Sequence, residues 1–189
     1  MTKWGLGCIV LIILLLGVMV LYVVGLYNGL IQAEETVAEK WAQVESVYQR
    51  RADLIPNLVE VVKDYMSYEQ ETLEKVIQAR SQAVSAGSPE EAIAAEGILS
   101  GALGKLFALM ENYPDLKANE NVSRLMEELS ATENKISFSR QFYNDSVMAL
   151  NNAVEAFPSN IVAGMFNFKP ATYFEVAEVE TATPKVDLR

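Results

Sequence analysis

The sequence contains no histidine, and it has a single cysteine, Cys8. Without histidine, the protein cannot use imidazole acid–base catalysis, serine–histidine or cysteine–histidine nucleophiles, or metal sites with imidazole ligands. A single cysteine also excludes metal sites built from several thiolates. Most enzyme chemistry is therefore excluded before any motif is considered, and we expect neither an enzyme nor a cofactor.

Charge is also missing from one long segment, because no charged residue occurs between Lys3 and Glu34. The 189 residues include 15 basic and 25 acidic ones, for a formal charge of −10. Residues 34–189 hold 14 of the basic residues and all 25 acidic ones, for a formal charge of −11. A protein of this sign has no general attraction for phosphate backbones, so we expect no nucleic-acid partner.

The uncharged segment Trp4–Leu26 predicts a transmembrane helix. As a helix it spans roughly 34 Å, against a hydrocarbon core of about 30 Å. A signal peptide would have a shorter apolar core and a small-x-small cleavage site, so we expect an uncleaved anchor that contacts the lipid bilayer through residues 4–26. Lys3 precedes the segment, and Glu34 and Glu35 follow it. The positive-inside bias therefore predicts that residues 1–3 are cytoplasmic and the rest is extracytoplasmic.

Beyond the anchor, apolar residues recur every three or four positions, and prolines and Gly87 fall between the periodic stretches. This pattern predicts an all-α fold in which the transmembrane helix continues into an antiparallel up-and-down four-helix bundle over residues 27–160. The four helices are expected at about Asn28–Ala52, Leu54–Ala86, Pro89–Tyr113 and Asn119–Phe157.

Two of the helix boundaries have specific capping residues. Asp53 is predicted to cap the second helix after a tight turn, with Pro56 in a first turn whose N–H groups lack intrahelical partners anyway. Ser88, Pro89 and Glu91 supply the N-cap, the first helical position and the third position of a capping box for the third helix. We therefore expect the second and third helices to be separated at this point.

Residues 161–189 form a tail that is too apolar to be free in solution. Its aromatic residues are Phe166, Phe168, Tyr173 and Phe174. Because Gly164 and Pro170 oppose helix, we expect an irregular tail that packs on the bundle, on a second protomer or at the lipid interface, in that order. A loose end at Glu178–Arg189 is compatible with each arrangement.

Three stretches of the chain resemble the LemA family. They read WAQVESVYQRRADLIPNLVEVVKDY (Trp41–Tyr65), ENYPDLKANENVSRLMEELSATENKISFSRQFYNDSV (Glu111–Val147) and FNFKPATYF (Phe166–Phe174). The resemblance implies a four-helix up-and-down bundle, an amino-terminal anchor in the bacterial inner membrane, an extracytoplasmic domain and no enzymatic activity. Tyr68 stands where the family often has histidine, which puts any role of that histidine in doubt. Leu150, where tyrosine is usual, is interpreted as a packing change.

Two polar clusters are candidates for structural or interaction roles. They lie at the predicted Asp53 turn and within the fourth helix, and comprise Gln49, Arg50, Arg51, Asp53, Pro56, Asn57, Thr132, Glu133 and Asn134. Arg51 is expected to pair locally with Asp53. Glu133 is expected to meet Arg80 or Arg140. Pairs of this kind fix helix register more often than they perform catalysis, and we favour that interpretation.

Two further features leave a structural and a functional interpretation open. Tyr113 and Pro114, in the predicted distal loop, either dock a partner or close the bundle end as an apolar plug. Gly97, Gly101 and Gly104 each cost about 0.8 to 1 kcal/mol relative to alanine inside a helix. That cost is offset either by close packing against a neighbouring helix, which we favour, or by docking of another protomer.

A metal site is not expected either. Glu127, Glu128 and Glu133 could in principle supply carboxylates for calcium or magnesium. The sequence has no spaced Asp/Asn loop of the EF-hand type, so these residues are better explained as a solvated acidic face.

These observations predict a non-enzymatic interaction or scaffold module of the bacterial envelope. Self-association is expected from the Gly25-x-x-x-Gly29 pair, the glycines of the third helix and the apolar tail, and an envelope protein of unknown identity is the other expected partner. A carboxylate-dependent metal-binding or hydrolytic protein is one alternative, and a membrane-remodelling protein is another.

Overall fold

The computed structural model describes residues 3–66 and 68–174, without the side chains of residues 3–6 and of Cys8. Within these ranges every regular element is an α-helix, so the predicted all-α class is confirmed. The helices are α1 (Lys3–Lys63), α2 (Gln70–Val84), α3 (Pro89–Met110), α4 (Pro114–Lys117), α5 (Glu120–Glu155) and α6 (Ser159–Phe166). The prediction for Glu178–Arg189 lies outside the described residues.

The turn predicted at Asp53 is wrong, because α1 continues through Asp53 and Pro56 to Lys63. A proline inside a helix leaves the carbonyl four residues earlier without its usual partner. Here that carbonyl belongs to Ala52, and it accepts a hydrogen bond of 2.6 Å from Nε of Arg80 in α2. The buried carbonyl is therefore satisfied by a side chain far away in sequence, and the helix tolerates the proline.

The helix break falls later than predicted, between Lys63 and Gln70. The backbone N–H groups of Tyr65 and Met66 both donate to the carbonyl of Val62, at 3.0 Å each. Met66 is fully buried at this point. The predicted second helix Leu54–Ala86 is therefore two helices, the end of α1 and α2, with a core-packed methionine between them.

The later boundaries agree better with the sequence pattern. Ser88 Oγ accepts a hydrogen bond of 3.2 Å from the N–H of Glu91, as the capping box predicts. The Glu91 carboxylate accepts from the N–H of Gly87 at 2.9 Å, one residue before the cap. Pro114 occupies the first position of α4, whereas α3 has already ended at Met110. Helix α5 lies within two residues of its predicted bounds at both ends.

The chain divides into two compact units. The central unit is Trp41–Phe142, and the terminal unit combines Met1–Lys40 with Tyr143–Arg189, described as far as Phe174. The core of the central unit draws on α1, α2, α3, α4 and α5. Its buried members are Ile55, Leu58, Val62, Met66, Leu73, Val76, Ala79, Leu99, Leu103, Leu106, Met110, Leu116, Val122 and Leu129.

The terminal unit has a small core where α6 meets α1 and α5. Its buried members are Leu30, Val162 and Ala163, and its partly buried neighbours are Val23, Leu26, Tyr27, Ala153, Val154 and Phe168. Residues 161–166 are helical, so the irregular tail predicted from residue 161 is wrong over that range. Burial of Val162 and Ala163 offsets the cost of Gly164. The helix ends at Asn167, which adopts the left-handed φ of 61° that asparagine tolerates.

The predicted close packing of the α3 glycines is also wrong. A Cβ added at Gly97, Gly101 or Gly104 would meet no described atom within 4 Å outside the helix itself. The apolar face of α3 that packs consists instead of Leu99, Leu103, Leu106 and Met110. The glycines lie on the exposed side of the helix, where the central unit leaves open space.

In the part of the chain that the structure describes, two helices are long and apolar enough to cross a membrane: the part of α1 that starts at Ile9, and α3. They differ in what covers them. The four core leucine and methionine side chains of α3 are buried inside the central unit. The large apolar side chains of α1 from Ile9 to Leu21 are all at least half exposed. An apolar helix left uncovered in this way is consistent with a membrane anchor.

The Arg80 contact with Ala52 predicts a thermodynamic coupling with Pro56. Arg80→Met should lower the free energy of unfolding by about 1 to 3 kcal/mol, because it leaves a buried carbonyl without a partner. In a Pro56→Ala background the new N–H can donate to that carbonyl, so the same substitution should cost much less. Denaturant unfolding of the four full-length variants in detergent, followed by circular dichroism, measures this double-mutant cycle. An equal cost in both backgrounds would contradict our explanation of the continuous helix.

Candidate functional site

The central unit buries two charged side chains, Arg51 and Glu96, of which only 5% and 2% are exposed. Arg51 lies on α1 in the series Val44, Tyr48, Arg51, Ile55, Leu58 and Val62, whose spacings alternate between four and three. Glu96 begins the matching series on α3 that continues with Leu99, Leu103, Leu106 and Met110. Both charges therefore occupy positions that the helical periodicity reserves for core residues.

Arg51 forms ion pairs with carboxylates on two other helices. Its Nη1 lies 3.2 Å from Oε2 of Glu96 on α3 and 3.1 Å from Oε2 of Glu133 on α5. Glu133 is half exposed, whereas Glu96 is not. One guanidinium thus connects three helices, and we call Arg51, Glu96 and Glu133 the charge layer.

The surroundings of the charge layer affect two titratable groups. Burial raises the pKa of the Glu96 carboxyl, although the guanidinium groups of Arg51 and Arg140 act in the opposite direction. Burial likewise raises the pKa of the Tyr48 phenol. The Tyr48 hydroxyl accepts hydrogen bonds of 3.3 Å from Nε and Nη2 of Arg140, whose guanidinium carbon lies 5.9 Å from the centre of the ring.

Thr132 belongs to the same part of α5 and is also buried. Its hydroxyl donates to the carbonyl of Glu128 at 2.8 Å, one turn earlier in the same helix. Among the described residues, no buried side-chain nitrogen or oxygen lacks a hydrogen-bond partner. The charge layer is therefore a satisfied network, which is the condition under which buried charges can specify packing.

The remaining polar candidates lie on the surface of the central unit. Gln49 Nε2 donates to Oδ1 of Asp53 at 2.8 Å. Arg50 lies 3.8 Å from Glu128, with both side chains largely exposed. An open groove of about 580 Å³ is lined in part by Arg50, Asp53 and Asn57. Asn134 is exposed on α5.

The structure thus pairs the predicted residues differently from the sequence expectation. Arg51 reaches across to other helices, while Asp53 accepts from Gln49. Glu133 pairs with Arg51, and Arg80 donates to a backbone carbonyl. Sequence reasoning missed Glu96. Its signal was a single charge at a core position in the otherwise uncharged stretch from residue 92 to residue 104.

A second groove, of about 380 Å³, lies beside the charge layer. Tyr48 and Glu96 line it, together with the alanines Ala42, Ala52, Ala83, Ala86 and Ala92. The small alanine side chains leave this space open on the surface of the central unit. Both groups of raised pKa, the Tyr48 phenol and the Glu96 carboxyl, therefore border the groove, but Glu96 is already engaged by Arg51.

Tyr113 and Pro114 lie at the junction between α3 and α4. Tyr113 is partly buried and packs against the core of the central unit. Two residues after Pro114, Leu116 is fully buried. This packing has the geometry of an apolar plug, which is the structural one of the two interpretations given for Tyr113 and Pro114.

The aromatic candidates of the tail lie in the terminal unit. Tyr27 packs against Phe166 and Phe168, with ring centres 4.7 Å and 5.7 Å apart. The ring of Phe174 packs edge-on against Tyr143 at 5.1 Å. Tyr173 is exposed.

Two asparagines of α5 hold the tail, and sequence reasoning missed both. Asn151 Oδ1 accepts from the N–H of Ala171 at 2.8 Å, and its Nδ2 donates to the carbonyl of the same residue at 3.0 Å. Asn144 makes the same two contacts with Phe174, at 2.8 Å and 3.2 Å. Seven helical residues rise about 10 Å, which matches three extended residues. The spacing of these asparagines therefore fits the extended tail.

The described residues contain no group of three or more His, Cys, Asp and Glu side chains that could hold a metal ion. Of the acidic residues considered from sequence, Glu128 pairs with Arg50 and Glu133 with Arg51. Through Arg51, the arrangement instead connects helices α1, α3 and α5 by ion pairs.

These features define the class of the protein: over the residues that the structure describes, an all-helical chain with a long exposed apolar helix near its amino-terminal end and a separate helical core containing the charge layer. The sequence profile of the LemA family matches residues 40–188. The chain belongs to the LemA family.

Individual relatives are more distant. The chain is 27% identical over 176 residues to Protein LemA of Metamycoplasma hominis, covering 91% of this chain and 79% of that protein. It is 25% identical over 175 residues to Magnetosome protein MamQ 2 of Paramagnetospirillum magneticum, covering 79% of this chain but only 64% of that protein. Magnetosome protein MamQ of Magnetospirillum gryphiswaldense is 23% identical over 189 residues, and the match covers 85% of this chain and 70% of that protein.

Adjacent arginines provide a matched test of the charge layer. Arg51→Ala should lower the free energy of unfolding by about 3 to 5 kcal/mol, because it leaves the buried Glu96 carboxylate without its partner. Arg50→Ala should cost about 1 kcal/mol or less, since its ion pair is exposed. Denaturant unfolding of the full-length variants in detergent measures both. Equal, small effects would show that the charge layer does not support the fold.

The raised pKa of Glu96 predicts an unusual pH dependence. The native state holds the Glu96 proton more tightly than the unfolded chain, whose carboxyl has the ordinary value of 4.5. The stability that this proton contributes is complete below that value and is lost as pH rises through the raised pKa. The wild type should therefore lose stability relative to Glu96→Gln over that window, as measured by thermal midpoints at a series of pH values.

The exposed Glu71 provides a control for which stability is expected to change with pH in the opposite direction. A hydrogen bond from Lys75 lowers the pKa of the Glu71 carboxyl. Its contribution is present above the ordinary value and is lost as pH falls through the lowered pKa. The wild type should therefore gain stability relative to Glu71→Gln as pH rises.

A difference between wild type and Glu96→Gln that does not change with pH would contradict the burial of an ionisable carboxyl.

Proposed function

We propose that this LemA-family chain is a single-span membrane protein that displays a non-enzymatic helical bundle to envelope proteins or to copies of itself. The observation that carries the proposal is the composition of α1. From Ile9 to Leu21 its large apolar side chains are uncovered, and further along the same helix Arg51 is buried in the charge layer. One helix thus supplies both a lipid-compatible surface and part of the bundle.

The bundle proper consists of the second half of α1 together with α2, α3 and α5 in an antiparallel up-and-down arrangement. Several contacts support this topology. All four helices share one core. Arg80, near the end of α2, reaches back to Ala52 of α1. The link between α2 and α3 is only four residues long, which favours antiparallel neighbours.

The orientation follows from the charges that flank the apolar segment. Lys3 lies before it, whereas Glu34 and Glu35 lie after it. The positive-inside bias then places residues 1–3 in the cytoplasm and the bundle on the outer side of the bacterial inner membrane.

The role as an interaction module is supported by what the buried charges do. In the charge layer Arg51 pairs with both Glu96 and Glu133, which supports a role of these residues in specifying how the helices pack. The faces left for function are the exposed helix surfaces and the grooves of the central unit. Such surfaces suit protein partners or a second copy of the chain.

Fractionation and reporter fusions test the anchor and its orientation. We expect the wild-type protein to remain in the membrane pellet after alkaline carbonate treatment. Alkaline phosphatase fused after Arg189 should be active, and a fluorescent protein fused there should be dark. Leu14→Arg combined with Val18→Arg should release the protein, because a charge near the centre of a span costs about 2.5 to 3.5 kcal/mol per residue.

Ile98→Arg and Val84→Arg provide a matched control, since these residues are as exposed as those of α1 but lie on α3 and α2. They should leave membrane retention unchanged. Release of the wild-type protein by carbonate, or a bright cytoplasmic reporter, would contradict the proposal.

Crosslinking of the full-length protein in its native membrane, followed by mass identification, tests the interaction role. Adducts of defined mass, to another protein or to the same chain, are the expected result. A protein that crosslinks to nothing but neighbouring abundant membrane proteins would not fit a display module.

A further inference from the structure

Helix α6 of the terminal unit carries an apolar surface that the described residues, 3–66 and 68–174, do not cover. No charged residue occurs between Glu155 and Lys169. Val162 and Ala163 are buried and Phe168 is partly buried, but the remaining large apolar side chains of this stretch are exposed. They are Phe157 at 81%, Ile161 at 55%, Met165 at 72% and Phe166 at 53%. A cluster of large exposed apolar side chains of this kind requires an apolar environment outside the protein-facing side of the helix.

The position of α6 identifies that environment. Its buried residues Val162 and Ala163 pack in one cluster with Leu30, Val23 and Leu26 of α1. Val23 and Leu26 belong to the last two turns of the apolar segment that anchors the chain in the proposed function. Helix α6 therefore lies directly beside the end of that segment.

The dimensions of the bilayer place this contact at its surface. A hydrocarbon core of about 30 Å takes up roughly 20 helical residues, and each polar interface adds about 5 to 7 Å. Between Leu26 and Glu34, the first charged residue after the segment, α1 rises about 12 Å. The α6 contacts, from Val23 to Leu30, thus straddle the boundary between acyl chains and headgroups.

We propose that α6 and Phe157 lie in the interfacial zone of the bilayer, so that the protein contacts one leaflet both through α1 and through α6. The inference rests on the proposed function, because it needs α1 as an anchor. The apolar surface of α6 is continuous with the lipid-exposed surface of α1 through Tyr27, which packs against Phe166. The exposed Lys169 follows at the edge of this surface, where its ammonium group can reach phosphate headgroups.

Interfacial helices bury their apolar faces about 5 to 10 Å deep, at the boundary between headgroups and acyl chains. Ile161 and Met165 are one turn apart on α6, and both are exposed, so they occupy this depth together. A second copy of the chain is the competing occupant of the same surface, and the experiment below distinguishes the two.

Site-specific fluorescence in vesicles tests the placement. Full-length protein in a Cys8→Ala background receives one cysteine, at Met165→Cys, Met148→Cys or Leu14→Cys, and an environment-sensitive dye. Met148 is the matched control, because it is a half-exposed methionine of α5 in the same unit. The proteins are reconstituted into vesicles of phosphatidylcholine and phosphatidylglycerol. The quenchers are aqueous iodide and lipids with a nitroxide either near the headgroup or deep in the acyl chain.

For a helix at interfacial depth, we expect iodide to quench the dye at residue 165 roughly threefold less than the dye at residue 148. The shallow nitroxide should quench residue 165 more than the deep one, and it should leave residue 148 unaffected. The dye at residue 14 should respond mainly to the deep nitroxide.

Three results would overturn the inference. Equal access of iodide to residues 165 and 148 would show that α6 faces water. Protection of residue 165 without quenching by either lipid would show that protein covers it, as in a second copy of the chain. Loss of quenching by the deep nitroxide at residue 14 would overturn the anchor and, with it, the interfacial helix. The first two results, with quenching at residue 14 intact, would overturn this inference alone, so the two failures are distinguishable.

Discussion

The guanidinium of Arg51 can be buried only where carboxylates from two other helices meet it. Removing a charge from water carries a large desolvation cost, which the Coulomb attraction and hydrogen bonds recover only when the geometry is good. Sliding α3 or α5 along α1 by one turn would separate Arg51 from Glu96 or Glu133 by about 5 Å. Leucine and valine side chains tolerate such a shift far better. The charge layer therefore selects one alignment of α1, α3 and α5 among several that apolar packing alone would allow.

The fold was predictable where the determining interactions are local. The recurrence of apolar residues every three or four positions predicted the all-α class, and the capping residues around Ser88 predicted the start of α3. The prediction failed at Pro56, because the group that satisfies the freed Ala52 carbonyl is Arg80, which no local pattern connects to it. It failed again at the break before α2, which no proline or glycine marks and where Met66 is fully buried.

The site was less predictable, because charges choose partners by distance in space. Arg51 and Glu133 were recognised as candidates from the sequence, but their connection required the packing of α1 against α5. Glu96 was missed because most acidic residues of this chain are exposed, so one more glutamate carried little information. Its position in register with Leu99 and Leu103 was the only local sign of burial. The asparagines that hold the tail had no such sign, since they recognise an extended segment that follows much later.

The contacts of Asn144 and Asn151 have an evolutionary consequence. Both amides form hydrogen bonds with the main chain of the tail, at Ala171 and Phe174, and none of these hydrogen bonds involves a side chain of the tail. Selection on this attachment would therefore act on the number of residues between the two contact points, whereas the residue type at Phe174 is also constrained by the packing of its ring against Tyr143. An insertion between the contact points would break one contact or force a bulge. Among homologues, a constant length between them would be the record of this mode of attachment.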